Sequence, residues 1–156
     1  MSSFLLKFAG HGWITATLSS GDTGVEIKAS YLSDAPTALL RAIIGLLMGS
    51  GKETFYWSRE PGQYGWLLSK DNNFLEIEIY KFTRALYGEW EERKNSGVLI
   101  FKSTLPLKMF ALQVNEQFDQ LLTDYGIEGY NRLWDIYKFP KNEKEKLERL
   151  LIENKG

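Results

Sequence analysis

Few side chains in this sequence have the types and spacing that catalysis needs. The chain has no cysteine, and His11 is its single histidine. These counts exclude thiolate catalysis, disulfides, cysteine-based zinc or iron–sulfur sites and a histidine-rich metal site. His11 lies between two glycines, without the orienting partner that a general base needs, and Ser58 and Ser69 lack the His–Asp companions of a serine hydrolase. No catalytic residue is therefore predicted.

The run Gly49-Ser50-Gly51-Lys52-Glu53 is the nearest approach to a phosphate-binding loop. Such a loop needs a glycine at the position of Leu46 and a serine or threonine at the position of Glu53. The run also ends a predicted helix and precedes a strand, which reverses the strand–loop–helix order of these loops. We interpret it as a turn that ends a helix, and no cofactor is predicted.

Two groups of glutamates have a spacing that suits either chemistry or recognition. Glu76 and Glu78 lie two apart on a predicted strand and share one face, where paired carboxylates do acid–base work or hold a cation. An ordinary solvent face has the same pattern. Three more glutamates flank Trp90, and an aromatic side chain rimmed by charges is a common anchor for a protein partner. No metal site is predicted, and the candidate partner-binding residues are Tyr56, Glu76, Glu78, Glu89, Trp90, Glu91 and Glu92.

The first third of the chain has the pattern of three antiparallel strands followed by a helix. Apolar and polar side chains alternate over three stretches that turn-forming residues separate, namely 4–9, 14–18 and 25–31. The helix that follows has Ser33 or Asp34 as its cap and Pro36 in its first turn. Gly49-Ser50-Gly51 is expected to end it.

The middle of the chain is predicted to form two successive hairpins. The first turn, Glu60-Pro61-Gly62-Gln63, places Trp57 opposite Trp66, and the second, Lys70-Asp71-Asn72-Asn73, places Trp66 opposite Ile77. One face of these strands is aromatic and apolar, with Phe55, Trp57, Tyr64, Trp66, Leu68, Leu75, Ile77 and Ile79. The other face holds Tyr56, Ser58, Gly65, Leu67, Glu76 and Glu78.

The aromatic face of these hairpins has two interpretations. Trp57, Tyr64 and Trp66 form either a stacking platform for sugars or bases, or the core that receives a long helix over residues 106–125. That helix carries an apolar stripe that it must bury, which favours the core.

The remaining segments complete an α+β pattern. Residues 83–95 are polar and are expected to be either a long loop or a short irregular helix, and residues 98–103 form a strand. Three helices are predicted after it, over 106–125, 130–137 and 143–153, with Gly126 as the C-cap of the first. The order βββα-ββββ-ααα predicts an antiparallel sheet of about six to seven strands with helices packed on one face, in a single domain over residues 1–156.

Composition and charge narrow the class of protein. The 156 residues are 44% hydrophobic and 14% aromatic, which excludes a disordered chain. The net charge is −1 and the basic residues do not cluster, so nucleic-acid binding is not predicted. The longest apolar stretch, from Ala42 to Met48, is too short to cross a bilayer, and the N-terminus lacks the basic start of a signal peptide. These features predict a cytoplasmic protein.

Three short motifs resemble a family of small, functionally uncharacterised bacterial proteins. They are Gly10-His11-Gly12-Trp13, Ala29-Ser30-Tyr31-Leu32-Ser33-Asp34-Ala35 and Glu60-Pro61-Gly62-Gln63-Tyr64-Gly65-Trp66. The resemblance covers most of residues 10–135. Such proteins are similar in size and style to the immunity proteins of bacterial toxin systems, which bind and block a cognate toxin. The resemblance implies no catalytic residues.

The sequence as a whole favours a non-enzymatic cytoplasmic binding protein of the immunity type. The expected partner is another protein, such as a toxin, and its binding surface is expected to include Trp90 and the outward-facing Tyr56. Acidic side chains around them suit a basic partner. The alternative is a small-ligand or carbohydrate-binding module that uses the aromatic sheet face.

Overall fold

A computed structural model describes residues 2–84 and 88–153 of the chain. Its α+β class and its order of elements agree with the prediction. Within the described ranges, no helix is both long enough and apolar enough to cross a membrane. The elements are β1 (Ser2–Phe8), β2 (Trp13–Ser20), β3 (Thr23–Ser30), α1 (Ala35–Leu47), β4 (Lys52–Ser58), β5 (Gln63–Asp71), β6 (Phe74–Phe82), α2 (Trp90–Lys94), β7 (Val98–Pro106), α3 (Leu107–Trp134) and α4 (Lys141–Glu153).

The seven described strands form two antiparallel sheets, where the sequence pattern suggested one. The first sheet has the order β1-β2-β3 and the second the order β4-β5-β6-β7. The short helix α2 lies in the segment expected to be a loop or a short helix; residues 85–87 of that segment lie outside the described residues. The predicted alternation of the first three strands is confirmed, because their inward side chains are buried, among them Phe4, Leu6, Ile14, Ala16, Leu18, Ile27 and Ala29.

Both predicted hairpin registers are wrong by two residues. Trp57 lies opposite Tyr64 rather than Trp66, and Trp66 lies opposite Ile79 rather than Ile77. Side chains alternate between the faces of a strand with a period of two, so a shift of two leaves each side chain on its predicted face. The predicted membership of the two faces is therefore confirmed, while the cross-strand partners differ.

The two turns explain this shift. The first loop has four residues, 59–62, and the Arg59 N–H donates to the Gly62 carbonyl at 3.1 Å. A two-residue type II turn would twist the strands in the wrong sense. The second turn is centred on Asn72 and Asn73, and Asn72 has a φ of 55°, in the left-handed region that asparagine tolerates. The two turns therefore consist of residues 59–62 and 72–73. The Pro-Gly and Asp-Asn patterns indicated residues 61–62 and 71–72 instead.

Helix α1 begins and ends where the sequence predicts. Asp34 is its N-cap residue and a proline lies in its first turn, but the Asp34 side chain makes no hydrogen bond to the helix. The carboxylate accepts a hydrogen bond from Trp134 instead. The helix packs against β4 and α4, so it covers part of the aromatic face that the long helix was expected to cover.

Helix α3 lies mainly along β1 and α4. Gly126, the predicted C-cap, has φ 68° and ψ 174° and divides the helix into two arms, which correspond to the first two of the three predicted C-terminal helices. Two glutamines of α3 also cover the edge of the first sheet. Gln117 accepts a hydrogen bond from the Leu6 N–H at 3.0 Å, and Gln113 donates one to the Ser2 carbonyl at 3.0 Å.

One hydrophobic core joins the two sheets to α1, α3 and α4. Trp57 and Trp66 are fully buried in it, with exposed fractions of 0%. Their ring centroids lie 4.9 Å apart, and Phe55 stacks on Trp66 at 5.2 Å. The interpretation of this face as core is therefore confirmed.

Candidate functional site

The outer face of the four-stranded sheet carries a second hydrophobic cluster. Leu67, Tyr80 and Phe82 are buried there, with exposed fractions of 5%, 6% and 1%, and they lie apart from the main core. Residues 88–97, which we call the strap, cover this face and contain α2. The outer cluster comprises Tyr56, Leu67, Tyr80, Phe82 and Trp90.

Trp90 faces the sheet from the strap. Its ring lies on Gly65, where an added Cβ would come within 2.9 Å of Cζ3. The ring centroids of Tyr56 and Tyr80 lie 5.6 and 5.7 Å from that of Trp90. The sequence pattern suggested an exposed anchor, whereas the structure packs the indole against a strand position at which only glycine leaves room. Trp90 therefore holds the strap on the sheet.

Arg93 belongs to this site although the sequence analysis did not select it. Its guanidinium carbon lies 3.7 Å from the ring centroid of Tyr56, and its Nη2 donates a hydrogen bond to Oε1 of Gln63. A cation placed over an aromatic face is attracted by the ring quadrupole, more strongly where water is excluded. The sequence feature that could have identified Arg93 is its spacing from Trp90, because residues three apart lie on the same side of a helix.

Three buried polar atoms in this region have no hydrogen-bond partner among the described residues. They are the Tyr56 hydroxyl, Nε1 of Trp90 and Nε of Arg93. Burial raises the pKa of Tyr56, and the charge of Arg93 opposes part of that increase. A buried polar group without a partner costs about 1–3 kcal/mol. Aromatic packing thus keeps the strap on the sheet despite the free energy that burial of these three polar atoms costs.

Three of the candidate glutamates influence the pKa of Tyr80. Its hydroxyl donates a hydrogen bond to Oε1 of Glu78 at 2.7 Å. Burial, this hydrogen bond and the charges of Glu78, Glu76 and Glu91 raise the pKa of Tyr80 to about 12. Glu76 and Glu78 come from β6 and Glu91 comes from α2, so charges from two segments that are separate in the sequence act on Tyr80.

The carboxylates of this surface differ in their partners. Nζ of Lys102 lies 3.9 Å from Glu76, and Nζ of Lys52 lies 3.2 Å from Glu91. Both pairs are largely exposed, so water and salt weaken them. The described residues give no ion pair to the other three selected glutamates, which are Glu78, Glu89 and Glu92.

The other residues with catalytic types form no second site. Nε2 of His11 lies 3.6 Å from Oδ2 of Asp135, with side chains that are 64% and 50% exposed. Ser50 donates a hydrogen bond to Glu53 at 2.6 Å, at the end of α1, which agrees with the interpretation of that run as a helix-ending turn. In residues 2–84 and 88–153, no group of three or more histidine, aspartate or glutamate side chains is arranged to hold a metal ion.

An open cavity of about 390 Å³ lies between the end of α1, the β5–β6 turn and the start of α3. Lys70 lines it, but its Nζ donates a hydrogen bond to the Leu46 carbonyl at 3.0 Å. A lysine at the C-terminus of a helix commonly satisfies such a carbonyl. The carbonyl at the end of α1 therefore accounts for the position of the Lys70 ammonium group, and no ligand is needed to explain it.

No protein-family model, curated protein or solved structure matches this chain. The resemblance to the uncharacterised bacterial family therefore stays a prediction.

Proposed function

We propose that this chain is a non-enzymatic cytoplasmic binding protein of the immunity type, which binds and neutralises a partner protein. The convergence of the selected residues on one surface carries this proposal. Tyr56 comes from β4, Glu76 and Glu78 come from β6, and residues 89–92 come from the strap. These segments are separate in the sequence, and all three lie on or above the outer face of the four-stranded sheet.

The arrangement of this surface suits recognition of another protein. A packed aromatic cluster fixes the strap, and charged side chains surround it. While the strap lies on the sheet this surface is ordered, and an ordered surface loses less conformational entropy on binding than a flexible one. Glu89 and Glu92 have no ion pair among the described residues, and such carboxylates favour a partner with basic side chains and speed its encounter.

The alternative, a carbohydrate or small-ligand module on the aromatic sheet face, has less support. Trp57 and Trp66 would supply its stacking platform, and both are fully buried in the core. A stacking platform needs exposed ring faces. The outer surface is therefore the better candidate.

Affinity capture from the native host tests the proposal. The purified protein is used as bait, captured proteins are identified by mass spectrometry, and the complex is rebuilt from purified components. A variant that combines Glu78→Lys, Glu89→Lys and Glu92→Lys reverses the three candidate carboxylates to which residues 2–84 and 88–153 give no ion pair. We expect it to bind the rebuilt partner about 100-fold more weakly, because like charges now face each other.

A matched variant controls for total charge. Glu26→Lys, Glu116→Lys and Glu128→Lys reverse three exposed glutamates of β3 and α3 and change the net charge by the same amount. This control is expected to bind like the wild type. Recovery of no specific protein partner, or equal weakening by both triple variants, would contradict the proposed surface.

A further inference from the structure

Among the described residues, side chains make the contacts that attach the strap to the sheet. Its turn and cap backbone hydrogen bonds join strap residues to one another, as when the N–H groups of Glu92 and Arg93 donate to the Glu89 carbonyl. Ser96 and Gly97 donate to the carbonyls of Arg93 and Lys94 in the same way. No residue of α2 is fully buried. Lifting the strap would therefore break aromatic and ionic contacts while the pairing between β4, β5, β6 and β7 stays intact.

Closure of the strap costs free energy because polar atoms lose contact with water. It buries Nε1 of Trp90, Nε of Arg93 and the Tyr56 hydroxyl, and the described residues offer none of these atoms a hydrogen bond. Water would satisfy all three when the strap lifts. The ion pair of Glu91 with Lys52 of β4 at 3.2 Å favours closure, but it is largely exposed and water weakens it.

The contacts that favour closure are made by side chains of the strap, namely those of Trp90, Glu91, Arg93 and Lys94. The ring of Trp90 lies on Gly65, and Gly97 lies on the ring of Phe82, where an added Cβ would be 2.7 Å from Cε1. Gly88 has a φ of 120°, a backbone conformation that residues with a side chain rarely adopt. A segment that side-chain contacts hold beside a hydrogen-bonded sheet opens locally at a lower free energy than the whole domain.

We propose that the strap opens as a unit while both sheets stay folded, and that binding of a basic partner holds it closed. Three of the selected glutamates, Glu89, Glu91 and Glu92, belong to the strap, whereas Glu76 and Glu78 belong to the sheet. Only the closed strap assembles both groups into one surface. A partner that contacts both groups binds the closed form more tightly, and by linkage it shifts the strap towards closure. This coupling rests on the proposed function, whereas the opening itself does not.

Amide hydrogen exchange of the isolated protein tests the opening. The amides of Glu92, Arg93, Ser96 and Gly97 donate to carbonyls within the strap. A five-residue helix is not stable in water without packing, so these hydrogen bonds are lost when the strap leaves the sheet. We expect these four amides to exchange at similar protection factors, about 100-fold or more below those of β5 and β6. Exchange as slow as that of the sheet, through global unfolding alone, would overturn the proposal, as would four unrelated protection factors.

Trp90→Ala removes the main anchor of the strap without changing the sheet. We expect the four strap amides to exchange about 10-fold faster or more, with the amides of β5 and β6 changed by less than about threefold. Trp13→Ala is the matched control, because Trp13 is half-buried on the other sheet and contacts Lys28. If Trp90→Ala does not fold, Arg93→Gln is expected to give a smaller change of the same kind. Strap exchange that is equal in these variants and the wild type would overturn the proposal.

The coupling is tested with decalysine as a basic probe. Saturating decalysine is expected to slow strap exchange about 10-fold in the wild type, and to bind Trp90→Ala about 10-fold more weakly than Trp13→Ala. Equal affinity for both variants would overturn the coupling. If the strap opens as expected but decalysine neither binds nor slows exchange, the coupling and the acidic surface of the proposed function both fail, while the opening stands.

Discussion

The Asp34 carboxylate accepts a hydrogen bond from Nε1 of Trp134 at 3.1 Å, across 100 residues of sequence. Asp34 is the N-cap residue of α1, and Trp134 is the fully buried last residue of α3. The contact therefore joins the start of one helix to the end of another. It also satisfies the polar atom of a buried indole, which the structure does not do for Trp57 and Trp66.

Asp34→Ala tests the importance of this contact. Removal of the acceptor leaves the buried Nε1 of Trp134 unpaired, so we expect the free energy of unfolding to fall by about 1–3 kcal/mol. Asp34→Asn keeps an acceptor oxygen and is expected to lose less than about 1 kcal/mol. Urea denaturation followed by circular dichroism measures both values. Equal loss in the two variants would show that the hydrogen bond is not the source of the effect.

The hairpins show how far the sequence determines this fold. The alternation of side chains identified both faces of the central strands, because a face depends only on the parity of each position. The register depends on the backbone of the turns, and four residues are bridged in one turn and two in the other. The sequence around Asn72 permits several turn conformations, and the one with a positive φ at Asn72 is only one of them.

The candidate site shows a different limit. The glutamates and Trp90 stand out in the sequence, but no local pattern indicates whether an aromatic residue in a short polar segment faces solvent or folds back. Gly65 was the sequence feature that could have indicated the packing of Trp90 on the sheet, because a glycine inside a strand often marks the close approach of another group. Arg93 was recognisable only once α2 was known to be a helix.

Gly65→Ala tests the contact between Gly65 and Trp90. The added Cβ would meet the rings of Phe82 and Trp90 at 2.8 and 2.9 Å, so side chains must move. We expect the free energy of unfolding to fall by about 1–3 kcal/mol. In a Trp90→Ala background the same substitution is expected to cost less, since one of the two clashes is gone. Full additivity in this double-mutant cycle would contradict the contact.

Gln117→Leu tests how α3 protects the edge of the first sheet. The Leu6 N–H donates to Oε1 of Gln117 at 3.0 Å, and leucine offers no acceptor in its place. An unpaired buried N–H is expected to lower the free energy of unfolding by about 1–3 kcal/mol. Gln117→Glu keeps the acceptor and serves as the control. Urea denaturation of both variants distinguishes the lost hydrogen bond from a general effect of changing this side chain.

Stability at alkaline pH is expected to report the burial of tyrosines. Burial raises the pKa of Tyr56, Tyr80 and Tyr130 above the usual value of a tyrosine. For Tyr80, the hydrogen bond to Glu78 and the charges of nearby carboxylates raise the pKa further. For Tyr130, the charge of Asp34 does the same. The unfolded chain loses these protons near pH 10, whereas the folded protein keeps them to higher pH. The folded state then binds more protons than the unfolded state, so the free energy of unfolding falls as pH rises.

For Tyr80 this contribution is fully present below about pH 10 and is lost as the pH rises through its folded pKa of about 12. Urea denaturation at several values between roughly pH 9 and pH 11.5 measures the slope, and ultraviolet absorbance of tyrosinate follows the titration directly. Tyr80→Phe has no proton to lose, so its slope is expected to be smaller than that of the wild type. A wild-type protein in which every tyrosine titrates near pH 10, or a Tyr80→Phe variant with an unchanged slope, would show that Tyr80 is not shielded beside Glu78 in the outer cluster.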